Sequence, residues 1–462
     1  MTATTLAPPP PASASRSGRA PIGRLTWLLS RPTAQTKAVL ALPAIAFAVT
    51  TALLLIVLGG VMMFWRWTIA DADLYQMLSV IALVLLIVPL IALGGAAARL
   101  SARRRDDRLA TLRLIGATPG VVTRMTVLES TAVATLGALA GVVLYLIAMP
   151  IVGLLPFQGE PIGAGALWVG PGAILLVILA VAALAAVSAA IGLRQVTISP
   201  LGVRTRQSAP RLHWSRVVVS VVAILAAYVM LGSLGSSGDW MLTIIVLGTG
   251  LGIGVGILNL IGPWAIGMAA RLALRRAKTA SRLIAARSIL ESPKATWRQV
   301  SGVAMTSFIA VVAGTGVSFM DQFQGDYDAP TRMLMADIRT GILVTVLISF
   351  LMVACSVGVN QAAGILDRRD LYVSLDRLGM PRSVIEQSRS RAILGPLRFT
   401  TFGSALVGGV LVFPLTSLAL IFAPVSLVVI VGCLVAGVLM VWGTIKATAP
   451  VMTRVLSEPE RM

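Results

Sequence analysis

The amino-acid sequence predicts an all-α polytopic membrane protein with about ten transmembrane helices, arranged as two parallel four-helix repeats joined by two extra helices. Three observations predict it. Hydrophobic residues fill 57% of the 462 positions and charged residues only 12%, far from the balance of a soluble domain. Apolar runs of about 20 residues, the length a helix needs to cross roughly 30 Å of hydrocarbon, recur along the chain. A short charged segment flanked by apolar runs occurs twice, 263 positions apart.

Taken in order, the chain opens with a Pro-, Ala- and Ser-rich tail over 1–20 carrying Arg16 and Arg19. It lacks the apolar core of a cleavable signal and reads as a disordered cytoplasmic tail. Ten apolar runs follow, at about 39–64, 77–98, 121–148, 169–193, 217–234, 241–268, 300–320, 339–364, 392–414 and 425–445. Alternate connections and both tails hold 35 of the 38 Lys and Arg residues, and only Arg66, Arg332 and Arg339 fall on the other side or at its border. Cations collect on the cytoplasmic face of a membrane protein. Both termini are therefore expected in the cytoplasm, and the protein in the cytoplasmic (inner) membrane of a bacterium. The net charge of +20 has the same explanation and does not call for nucleic acid. Cys355 and Cys433 lie inside apolar runs and read as small packing residues rather than metal ligands or a disulfide.

The repeated segment sets the domain organisation. The first copy runs from Arg103 to Pro119 and the second from Asp367 to Pro381. Superposed, Arg105 falls on Arg368, Asp107 on Asp370, Leu112 on Leu375 and Gly116 on Gly379. An even number of spans per unit keeps both units in one orientation, related by an axis along the membrane normal. Just before the first span of each unit lies an amphipathic stretch ending near a proline, Ile22–Pro32 and Leu283–Pro293, which suits a helix lying in the membrane interface. The expected units are a tail (1–20), a first four-span repeat (21–203), a linker with two connecting spans (204–270) and a second four-span repeat (271–462). The two connecting spans have no counterpart in either repeat.

Arg105 through Thr118, with its Leu-Arg-Leu-Ile-Gly-Ala-Thr core at 112–118, resembles the coupling segment of FtsX-like (MacB-type) ABC transporter permeases. Val122, Arg124, Leu128 and Glu129 continue the likeness into the third span. The second copy departs from it: Asp376 replaces the basic residue, Met380-Pro381 replaces Ala-Thr, and Ala392 stands where Glu129 would. The resemblance implies the membrane subunit of an ABC transporter, not itself an enzyme, working with a separate dimer of ABC ATPase subunits. ATP and Mg would then be bound by the partner, with no cofactor, metal or catalytic residue in this chain. No Gly-Lys dipeptide occurs in the sequence, so a phosphate-cradling P-loop is absent. Since one chain carries two halves, one permease chain per complex is expected.

On this reading Arg105, Asp107, Leu112, Leu114, Ile115 and Gly116, with Arg368, Asp370, Leu375 and Gly379, form two ATPase-docking helices. The leucines and isoleucine would be apolar anchors, the arginines partners for acidic rims, and the glycines helix ends. The connections expected outside are short, at about 65–76, 149–168, 235–240, 321–338 and 415–424. The large extracytoplasmic domain seen in family members that signal or couple to outer partners therefore has no room. Export or extraction of a substrate that already partitions into the membrane is favoured: a lipid, lipopeptide, amphipathic peptide or hydrophobic drug. Asp321, Asp326 and Asp328 are candidate substrate-facing acids at the outer surface, and membrane lipids are the surrounding partner. The alternative is a non-transporting sensor or mechanotransmission subunit. An ion-coupled secondary transporter is disfavoured because no chain of carboxylates runs through the spans.

Overall fold

The computed structural model describes residues 34–69, 71–103, 118–197, 215–232, 240–321, 328–367, 369–413 and 424–448. Among these residues the chain folds into twelve helices: α1 (Ala34–Trp65), α2 (Ala72–Arg103), α3 (Pro119–Val152), α4 (Pro171–Thr197), α5 (Ser215–Gly232), α6 (Trp240–Arg275), α7 (Ala280–Glu291), α8 (Pro293–Asp321), α9 (Ala329–Asp367), α10 (Arg369–Arg377), α11 (Arg382–Leu411) and α12 (Pro424–Ala447). The protein is an all-α polytopic membrane protein. Each of the ten apolar runs falls on one long helix, because a chain in hydrocarbon must satisfy its backbone N–H and C=O groups internally. Among the described residues, six helices contain stretches long and apolar enough to cross a membrane: Pro43–Trp65, Thr123–Val152, Pro171–Ala190, Gly252–Arg275, Ala329–Ile365 and Arg382–Leu411. The only sheet among the described residues is a hairpin of two-residue strands, β1 (Pro156–Phe157) and β2 (Glu160–Pro161).

Within the first four long helices, α1 packs along α3, α2 lies against α1, and α3 and α2 both touch α4. The α1–α3 contact is made close by small residues. A Cβ on Gly137 would stand 2.7 Å from the Ala44 carbonyl oxygen, and one on Gly141 would stand 2.5 Å from that of Ala48. Gly137 and Gly141 lie four apart on one face of α3, the spacing that lets two membrane helices bring their backbones together. Beneath them Phe47, Leu55, Ala134, Ala138 and Tyr145 form the centre of an apolar core.

The later helices repeat the pairing pattern: α8 packs along α11, α9 lies against α8, and α12 touches α9. Their core is centred on Trp297, Val303, Phe308, Phe350, Val353 and Leu397. Thr306 and Ser349 join α8 to α9 by a buried hydroxyl hydrogen bond of 2.6 Å. The two four-helix groups meet chiefly where α2 packs on α9. That seam is apolar through its middle, built from Leu53, Val57, Leu86, Leu93 and Met352.

The connecting pair α5 and α6 sits with the later group, where α6 packs on α8, α7 and α11. Gly262 lies flat on the Trp297 ring, where a Cβ would come within 2.3 Å of it. The Trp297 indole N–H donates to the Asn259 side-chain oxygen at 3.2 Å, so that amide serves helix–helix bonding. Between α6 and α8, α7 buries Ser281, Ala285, Ala286 and Ile289 while Leu283 is exposed. Pro293 begins α8 rather than merely ending α7, since its missing N–H costs nothing at a first helical position. The matching stretch Ile22–Pro32 lies outside the described residues.

Candidate functional site

The second copy of the charged segment forms α10, a two-turn helix between α9 and α11, and the backbone shows why it stops. Gly379 has φ +82°, a left-handed conformation that costs a glycine little. The Met380 N–H donates to the Leu375 carbonyl and the Gly379 N–H to the Asp376 carbonyl, both at 3.0 Å. These are the paired bonds of a Schellman cap, which usually brings an apolar contact between the same two positions. That contact is present: Leu375 and Met380 pack with Tyr372 against buried Ile365 and Ile385. Leu375 therefore ties α10 to its supporting helices. Asp376, the departure from the family pattern, lies 3.5 Å from the Arg382 guanidinium, an exposed pair worth little by itself.

The apolar side chains that α10 presents outward are different ones. Leu371 is 52% exposed and Leu378 is 82% exposed. They stand seven residues apart, two helical turns, on the same stripe as Leu375, which is set deeper against Ile365 and Ile385. Neither position holds a leucine in the first copy, where Arg108 and Ile115 stand. The signal was available in the apolar residues at this spacing within an otherwise charged helix.

Of the other expected docking residues, Asp370 is in the first turn of α10. Arg368 and all six of the first copy, Arg105, Asp107, Leu112, Leu114, Ile115 and Gly116, lie outside the described residues. At the opposite end, Asp321 is the last residue of α8 and Asp326 lies outside the described residues. Asp328 is exposed just before α9, where its carboxylate accepts from the Thr331 hydroxyl at 2.6 Å. Among the described residues, no group of three His, Cys, Asp or Glu side chains is placed to hold a metal ion.

That same end carries a second polar centre. Residues 153–170 fold back over the first group of helices, with Tyr145 donating to the Leu167 carbonyl at 2.6 Å and Arg66 to the Trp168 carbonyl at 3.1 Å. Phe64 stacks on Tyr75 with ring centroids 5.6 Å apart, and Trp67 and Phe157 meet these rings edge-on. Asp337 of α9 reaches this cap although it is 4% exposed. It accepts from the Tyr75 hydroxyl at 2.6 Å and from the Gln158 backbone N–H at 3.0 and 3.1 Å.

The stretch 79–200, which runs through α2, the first charged segment, α3 and α4, matches the model of the FtsX-like permease C-terminal family. No curated protein matches the chain.

Proposed function

We propose that this chain, an FtsX-like permease over residues 79–200, is the membrane subunit of an ABC transporter driven by a separate ATPase dimer. The observation that carries the reading is that family match, which contains the charged segment Arg105–Gly116. The second copy of that segment supports it by folding as a capped helix with Leu371 and Leu378 turned outward. A helix capped at its C-terminus and tipped with exposed leucines fits a groove on a soluble partner, where a few buried apolar anchors supply most of the affinity. The parallel pairings of α1 with α3 and of α8 with α11 favour two equivalent halves in one chain, hence one permease chain per ATPase dimer.

The cargo is a molecule that already partitions into the membrane, moved outward or extracted. Support comes from the brevity of the segments between spans and from the way residues 153–170 fold back onto the helices. The test is purification of the tagged full chain from its own cells, followed by reconstitution with the ABC ATPase that accompanies it. Co-purification and ATP-dependent movement of a labelled lipid or amphipathic peptide in proteoliposomes are expected. Absence of any co-purifying ATPase would overturn the reading, and ATPase stimulation without movement would redirect it to a signalling subunit.

A further inference from the structure

Asp337 joins the two helix groups at the hairpin end, and every donor it accepts from belongs to the other group. The Tyr75 hydroxyl, at the start of α2, donates to Oδ2 at 2.6 Å. The Gln158 backbone N–H, at the tip of the hairpin, lies 3.1 and 3.0 Å from the two carboxylate oxygens. The Gln158 side-chain amide donates to the Tyr75 hydroxyl at 2.7 Å and lies 3.4 Å from Oδ2. Together they close a ring of hydrogen bonds around one buried carboxylate. Among the described residues, no lysine or arginine forms an ion pair with it.

We infer that Asp337, Tyr75 and Gln158 form a latch that holds the two helix groups together at the outer end and releases them when that end opens. Three physical features make it a two-state element rather than ordinary packing. Within a membrane, apolar helices gain little by preferring one another to lipid, so the seam of Leu53, Val57, Leu86, Leu93 and Met352 holds the groups only weakly. The polar ring therefore supplies much of the directional adhesion. Its carboxylate is satisfied when closed, and it would be hydrated when fully open. Only a partly parted state leaves it buried and unpaired, which is the costly condition.

The hairpin contributes stored strain. Gln158 has φ +55° and Gly159 +78°, the pair of positive values that a type I′ turn demands. A non-glycine residue in that region persists where its surroundings over-determine it. Here the bonds to Asp337 and Tyr75 do so, while the Phe64, Trp67, Tyr75 and Phe157 rings keep the first group's side rigid. Opening would free Gln158 to relax.

The latch rests on the reading of the chain as two halves that move against each other, but its test needs only the permease itself. In the full chain, with Cys355 and Cys433 changed to Ser and reconstituted in lipid nanodiscs, nitroxide labels are placed at E160C and R332C. Pulsed dipolar spectroscopy then reports the distance between the hairpin and α9. One short-distance population is expected in the parent, and a longer one at least about tenfold more populated in Asp337→Ala. Tyr75→Phe, which removes a single hydroxyl and serves where Asp337→Ala fails to fold, is expected to shift the population the same way by less. Gln158→Gly keeps the backbone donor and is expected to remain mostly closed. Unchanged distances in both Asp337→Ala and Tyr75→Phe would overturn the latch. So would an equal shift in the neighbouring control Ser79→Ala, which alters a buried α2 side chain bonded only to the Gln76 carbonyl, outside the ring. Failure to find an ATPase would not alter these distances, so the two readings fall separately.

Discussion

Replacing Leu371 and Leu378 together by Ala should weaken capture of the ATPase without loosening the permease. The size follows from exposure. Leu→Ala removes about three methylene equivalents, each worth about 0.8 kcal/mol when fully buried. Scaled by the free exposures of 82% for Leu378 and 52% for Leu371, full burial in a groove would lose about 3 kcal/mol and partial burial about 2. That is a rise in Kd of roughly 30- to 150-fold. Helix propensity favours Ala, so α10 itself should persist. The assay is biolayer interferometry of the detergent-purified chain against immobilised ATPase, run beside thermal unfolding of the same samples. Leu375→Ala is the contrasting variant: because Leu375 packs on Ile365 and Ile385, it should lower the unfolding temperature and affect binding only through loss of order in α10. An unchanged Kd in the Leu371/Leu378 double variant would refute the assignment of that face to docking. A drop in unfolding temperature as large as that of Leu375→Ala would refute the separation of outward from supporting leucines.

Gly379→Ala meets no atom within 4 Å, so its cost is the left-handed backbone alone, about 1 kcal/mol. Faster amide exchange confined to 369–380 should report it, with Gly379→Asn milder. Gly141→Ala drives a Cβ to 2.5 Å from the Ala48 carbonyl and should destabilise the α1–α3 contact by roughly 1–3 kcal/mol. Gly60→Ala in α1, with open space around it, should be neutral or slightly stabilising, both read by thermal unfolding in the same detergent. Thr306→Val leaves the Ser349 hydroxyl without its 2.6 Å partner. A double-mutant cycle with Ser349→Ala should show coupling of about 0.6 kcal/mol, and a coupling of zero would mean that each hydroxyl finds another acceptor.

Much of the fold was legible because its causes are local. Apolar run length and the demand for internal backbone hydrogen bonds are properties of a stretch of chain, and each expected run fell on a long helix. The end of α10 was legible for the same reason, since a glycine ahead of Met-Pro announces a left-handed stop wherever it sits. How deeply each leucine of α10 is set was not legible. Leu371, Leu375 and Leu378 all lie on one short charged segment, and only the positions of Ile365 and Ile385 separate the inward leucine from the outward ones. Asp337 stands at the start of an apolar run, and Gln158 lies within the connection expected over 149–168. Nothing in the sequence joined them, because 179 positions lie between Gln158 and Asp337.

By itself, then, the sequence determined the class, the long helices, the repeated charged segment and the stop at Gly379, all consequences of residue chemistry read over a few turns. Tertiary structure alone decided that Gly137 and Gly141 bring α1 and α3 into backbone contact and that α6 belongs with the later group. It also decided that Asp337 is satisfied by donors from the earlier group. Burial and hydrogen-bond pairing are properties of two surfaces at once, and a sequence carries the chemistry of each surface without stating which other surface it will meet.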